Sequence, residues 1–269
     1  MSAIVGAAIR AALLTVEPRA KVMAVRRVAR DWRLGRLAFA FDAPLPDRPA
    51  RPAEPELLPP NRMPKRGKGG SERARIALWH AIAHIEFSAI DLALDAAGRF
   101  GAAQGPGFVS DWLKVAADEA LHFALIDRHL HRLGSRYGAL PAHEGLWDAA
   151  FETRHDVLAR MAVVPMVLEA RGLDVTPAMI ERVRASGDEA GARILERILD
   201  DEIVHVRTGT KHFVAGCGVN GFAPAEHWKR LVKRHFRGAV KPPFNDSARC
   251  AAGLSREFHA ALALETGVA

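Results

Sequence analysis

A glutamate followed three residues later by a histidine occurs twice in this chain, as Glu119-x-x-His122 and Glu202-x-x-His205. Each motif is preceded by a lone glutamate in an apolar stretch. Glu86 lies in Ile82-Ala83-His84-Ile85-Glu86-Phe87, and Glu169 in Met166-Val167-Leu168-Glu169-Ala170. The lone glutamate stands 33 residues before its motif in both halves, so all three pairs of equivalent residues share one offset of 83. Residues three apart on a helix lie on nearly one face, so each motif aims both side chains at one place. Four glutamates converging in an apolar core would repel and lose their hydration without counter-charge. Two divalent cations remove that cost. The pattern therefore asks for four helices around a common centre, one element on each.

Helix signals support that count. Ser71 is placed to cap a helix running to about Ala97, with Gly98 and Gly101 as stops. Ser110 is placed to cap a second, reaching Leu133 and ended by Gly134. A third is expected from Leu146 to Arg171, with Gly172 beyond it. Pro165 removes one backbone hydrogen bond there and crowds the carbonyl of Met161, so a kink or break is expected. That break, one turn before Glu169, is a place for a substrate opening. Thr176-Pro177 opens a short helix ending at Gly187, and Asp188 caps a fourth long helix to about Val214. No stretch sustains the period-2 alternation of a strand. The expected fold is all-α, a four-helix bundle over residues 71–215 with N- and C-terminal extensions.

Charge divides along the same lines. Lys and Arg total 38 against 31 Asp and Glu, a net charge of +7 that invites a nucleic-acid reading. Residues 1–70 hold 14 basic and 6 acidic residues, residues 71–215 hold 16 and 21, and residues 216–269 hold 8 and 4. An acidic bundle thus lies between a basic, proline-rich N-terminal extension and a basic helical C-terminal one. In the first, Ala3 to Leu14 and Pro18 to Leu34 are short helix candidates, and residues 42–70 are too rich in Pro and Gly to be regular. In the second, Pro224 to Phe236 and Ser247 to Leu264 are helix candidates. These arms either contact a polyanion such as RNA or wrap over the bundle. The two cysteines, Cys217 and Cys250, supply neither a zinc cluster nor a disulfide framework, which fits a reducing compartment. No apolar run of about 18 residues suggests a membrane span, and residues 1–10 precede no cleavage site. A cytoplasmic protein is expected.

Carboxylate and imidazole without thiolate suit iron or manganese. Metal ligands are assigned to Glu86, Glu119, His122, Glu169, Glu202 and His205, with Glu119 and Glu202 bridging and Glu86 and Glu169 terminal. Asp118 and Asp201 keep the 83-residue offset and are placed to hydrogen-bond a ligand histidine, unless they are merely solvated. Trp79 and Trp112, each seven residues before a ligand glutamate, either wall the site or pack the core. His129, seven beyond His122 on the same face, either supports the ligand residues from behind or is partly exposed, the latter being the expectation. His80 and His84 point away from Glu86 and are poor ligands.

Leu78-Trp79-His80-Ala81-Ile82-Ala83-His84-Ile85-Glu86, followed by Ala89-Ile90-Asp91-Leu92, resembles the ferritin-like proteins filed as domain of unknown function 455. Pro64-Lys65-Arg66-Gly67 and Lys241-Pro242-Pro243-Phe244-Asn245 extend the resemblance over most of the chain. It implies a ferritin-like bundle with a di-iron centre on the six positions above, and no established substrate. A more distant likeness is to the di-iron tRNA hydroxylase of the same superfamily.

Absences narrow the chemistry. The one tyrosine, Tyr137, lies beyond the stop at Gly134, which argues against a tyrosyl radical beside the metals. Two isolated cysteines do not make a rubredoxin-like centre, so reducing electrons must come from an external donor. The expected function is a di-iron, or iron and manganese, oxidoreductase that uses dioxygen to oxidise or hydroxylate an organic substrate, a small molecule or a nucleotide in tRNA. The alternatives are an iron-handling or peroxide-consuming protein, and an RNA-binding protein acting through its arms. An oligomer is compatible with all three.

Overall fold

The computed structural model describes residues 3–64 and 71–265. Pro64 is the last described residue before Ser71, so the Lys65-Arg66-Gly67 part of the family-like motif lies outside the described residues. Among those residues the protein is all-α, with nothing more extended than isolated β-bridges. The chain forms two compact units, residues 1–148 and 149–269. Each holds one lone glutamate and one Glu-x-x-His motif.

In the first unit, α1 (Val5–Leu13) and α2 (Pro18–Arg33) pack against the long helices α3 (Glu72–Gln104) and α4 (Pro106–Arg132). Ser71 caps α3 as expected, its hydroxyl accepting the amide of Ala74 at 3.2 Å. The helix then runs through both expected stops. Gly98 and Gly101 are points of close approach instead: a Cβ at Gly98 would lie 2.6 Å from Leu45, and one at Gly101 would lie 2.6 Å from Val109. The break comes at Gly105, whose φ of 91° few side chains tolerate. Gly105, not Ser110, therefore precedes α4, and Ser110 sits within it, its hydroxyl donating to Pro106 and accepting from the Trp32 indole. α3 is long and apolar enough to cross a membrane, but 72% of its most apolar window is buried inside the protein.

The N-terminal arm is pinned to α3 by charge. Lys21 is fully buried, its ammonium donating to Asp91 at 2.6 Å and to the carbonyls of Leu13 and Ala50. Arg51 meets the other Asp91 oxygen at 2.6 Å. Burial pushes the Lys21 pKa below its ordinary value, with the Asp91 charge opposing that shift. Residues 43–64 form no long element, with a 3-10 turn at Pro60–Arg62 and a bridge between Leu57 and Ala142.

The second unit departs further from expectation. Its third long helix is divided into α5 (Gly145–Glu152), which starts in the first unit, α6 (Val157–Val163), and a π-helical turn at Val164–Glu169. The wider π turn absorbs Pro165, which has no amide hydrogen to give. The Pro165 ring is buried against Gly209, where a Cβ would lie 2.2 Å from it, so in this unit the break is packed rather than open. Neither Gly172 nor Pro177 ends the next helix: α7 (Ala170–Ala185) is continuous through both. Pro177 leaves the carbonyl of Leu173 without its helical partner, and the Asn245 amide donates to that oxygen at 3.1 Å. α8 (Glu189–Val219), capped by Asp188 as expected, outruns its expected end. α9 (Pro224–His235) packs on α6. The last candidate helix is two, α10 (Asp246–Ala251) and α11 (Arg256–Glu265), parted where Gly253 adopts a φ of 77°.

Candidate metal centre

Glu86 lies midway along α3, while Glu119 and His122 lie one turn apart on α4. The near-absence of a linker, with Gly105 alone between the helices, folds α4 back along α3 and sets the three side chains face to face. All are buried, Glu86 at 4% exposure and the other two at 0%. Their candidate ligand atoms lie within 4.8 Å of one another. His122 Nδ1 stands 3.1 Å from Oε2 of Glu86 and 3.3 Å from Oε2 of Glu119. Burial opposes charging that ring, but the hydrogen bonds and charges of Glu119 and Glu86 outweigh it and push the imidazole up to about 11. Two desolvated carboxylates beside one ring call for positive charge, which the protonated imidazole or a metal ion supplies, the metal competing with the proton for the same lone pair. The donor set fits a hard or borderline divalent metal. This buried group is able to bind a metal ion.

The second unit carries the same residue types on its own helices. Glu202 and His205 share a face of α8, with His205 Nδ1 3.8 Å from Oε1 of Glu202, and His205 is fully buried. Glu169 is the last residue of the π turn, which packs on α8.

The flanking residues divide. Trp79 and Trp112 are both 1% exposed and pack the core of the first unit. Trp79 meets the His129 ring edge-on at 4.5 Å, and Trp112 lies 6.1 Å from Phe108. His129 is 3% exposed, not partly exposed as expected, with the Trp79 ring of α3 packed against it. Asp118 is half-buried. Asp201 accepts from Arg197 at 2.6 Å, one turn back on the exposed side of α8. His80 and His84 are occupied elsewhere: His80 Nε2 accepts the amides of Gly138 and Leu140, and His84 bonds the Tyr137 hydroxyl at 2.9 Å. These bonds fold the loop after α4 back onto α3. Tyr137 is therefore not remote from the ligand residues. It is buried against Phe87 and Phe123, the residues that follow Glu86 and His122.

One pair escaped the sequence reading. Asp174 is held by Arg249, both oxygens at 2.7 Å, and both side chains are buried. Asp91 and Asp174 stand 83 residues apart, each five beyond the lone glutamate of its half. Each is neutralised by cations from a basic arm, Lys21 and Arg51 in one unit and Arg249 in the other. The same offset that revealed the glutamates would have revealed these aspartates.

Residues 14–260 match the family described as protein of unknown function, DUF455. The chain belongs to that family. Among its relatives, an uncharacterized protein of Haemophilus influenzae is 43% identical over 213 residues, covering 77% of this chain and 74% of the relative. No solved structure matches. The match takes in the long helices, the buried carboxylate–histidine cluster and both ion-paired aspartates, together with the parts of the arms that supply Lys21, Arg51 and Arg249.

Proposed function

We propose that Glu86, Glu119, His122, Glu169, Glu202 and His205 hold two metal ions, iron or iron with manganese, in a ferritin-like arrangement, and that the protein is an oxidoreductase using dioxygen to oxidise an organic substrate. The observation that supports this most is the buried cluster in the first unit, where two carboxylates flank one imidazole with no water-facing side. The second support is the equal spacing in the two halves, which gives each metal one histidine and leaves two glutamates to be shared. Reduced metal ions held by these residues would supply the electrons for dioxygen chemistry. The protein's own residues would hold the ions in a buried setting and fix α3 and α7 through the Asp91 and Asp174 ion pairs. Cys217 and Cys250 are free thiols, which fits a reducing compartment and leaves re-reduction to a separate donor.

Anaerobic titration with ferrous iron tests the reading. About two equivalents should bind, and Glu119→Ala or His205→Ala should lower that number. Full stoichiometry in either variant overturns the assignment. Oxygen uptake that ends after one oxidation of the bound iron, with growing mineral, would point to storage instead.

The exposed face of α2 supports a second reading, in which the arm binds a polyanion. Arg19, Arg26, Arg27 and Arg33 are exposed, and none has an ion pair among the described residues. Because α2 also packs on α4, point substitutions test this better than deletion of the arm. Replacing Arg26, Arg27 and Arg33 with Gln should lower the salt dependence of RNA binding by ~0.7–0.9 in log–log slope for each phosphate no longer neutralised. An unchanged slope rules the face out.

A further inference from the structure

The first unit contains a cavity of about 820 Å³ whose lining combines arginines with an aromatic wall. We propose that it binds an organic anion, with the acid group on Arg19 and Arg128 and an apolar or aromatic body against Phe123 and Tyr137. The volume suits a small organic molecule rather than an isolated ion.

Three carboxylates also line the cavity, and each is already engaged. Glu17 caps α2, accepting the amides of Arg19 at 2.9 Å and Ala20 at 2.6 Å. Glu54 pairs with Arg136 at 2.7 Å. Asp127 accepts the Tyr137 amide at 3.4 Å and faces His131 at 3.7 Å. Arg19 and Arg128 are exposed, and neither has an ion-pair partner among the described residues. They are the cations in the lining left to receive an acid group. Phe123 and Tyr137 meet edge to face at 5.1 Å, and the Tyr137 hydroxyl is turned inward to His84. The ring, not the hydroxyl, is therefore what the cavity offers, and an apolar body suits it. A bare phosphate would use the arginines and leave this wall wet; a neutral aromatic would leave the arginines unused.

Tyr137 is the single tyrosine of the chain, so ring-13C tyrosine labelling gives one reporter on the cavity wall. The metal-free protein is titrated with phenyl phosphate, phenylacetate, benzyl alcohol and inorganic phosphate. Saturable shifts are expected with one or both aromatic anions, the tighter one naming the acid. Benzyl alcohol and inorganic phosphate should bind at least tenfold more weakly. The Arg19→Gln/Arg128→Gln variant should lose at least tenfold in affinity for the aromatic anion. Its unliganded tyrosine spectrum and its iron stoichiometry should be unchanged, which separates a failure here from a failure of the metal assignment. The proposal is overturned if neither aromatic anion saturates, if benzyl alcohol binds equally well, or if the double variant binds as the parent does. A single-stranded RNA oligomer that moves the resonance where the small anions do not would equally overturn it.

Discussion

Lys21 shows how a single residue holds an arm in place. Its ammonium is out of water entirely and spends its donors on Asp91 and two carbonyls. Removing it leaves Asp91 to Arg51 alone and opens two carbonyls in the core. Lys21→Ala should therefore destabilise the protein by ~3–5 kcal/mol, the usual cost of stranding half of a buried pair. Urea denaturation measures this, and a loss below about 1 kcal/mol would show that Arg51 alone satisfies Asp91. The signal for the pair was present in the sequence, in the 83-residue offset from Asp91 to Asp174, but its partners were not. Lys21 is 70 residues from Asp91 and Arg249 is 75 from Asp174, separations no local pattern spans.

At the scale of elements, glycine and proline acted through packing more than through backbone freedom. Gly98 and Gly101 resemble helix stops in sequence, yet they lie inside α3 because Leu45, Ile9 and Phe41 come down on them. Pro165 and Gly209 form a matched pair, a ring on the π turn and a bare backbone on α8. Gly209→Val would thrust a branched side chain into that ring, at an expected cost of ~1–3 kcal/mol or more from overpacking. Thermal unfolding checks it, and an unchanged midpoint would mean that the π turn shifts freely. Pro177 belongs with these cases, since Asn245 replaces the hydrogen bond the proline removes. The break at Pro165 was legible from the proline alone, whereas the continuity of α3 through Gly98 and Gly101 and of α7 through Pro177 was not, because the groups that pack on or replace them are distant along the chain.

For the molecule as a whole, acid should be destabilising through His80 and His84. Burial lowers both, each to about 4 from an ordinary 6.5, aided for His84 by the Arg51 charge. Between those values the unfolded chain binds protons that the folded chain refuses, so stability falls as pH drops from 6.5 towards 4 and this contribution changes little below that. The full loss amounts to about 3 kcal/mol for each ring. Melting temperature against pH should show the slope, and His80→Gln should reduce it. An equal slope in that variant would place the acid sensitivity elsewhere.

Helicity, the buried meeting of Glu86, Glu119 and His122, and the equal spacing in the two halves were all legible in the order of residues. They follow from periodicity and fixed spacing, which are local properties of the chain. What the basic arms do near the core was not legible there: in the folded protein Lys21, Arg51 and Arg249 neutralise buried aspartates instead of facing solvent. Folding also brings Tyr137 back from beyond α4 to line a cavity beside Phe123. Burial makes that difference: a charge or a ring acquires its role from what excludes water around it, and those neighbours come from distant segments of the chain.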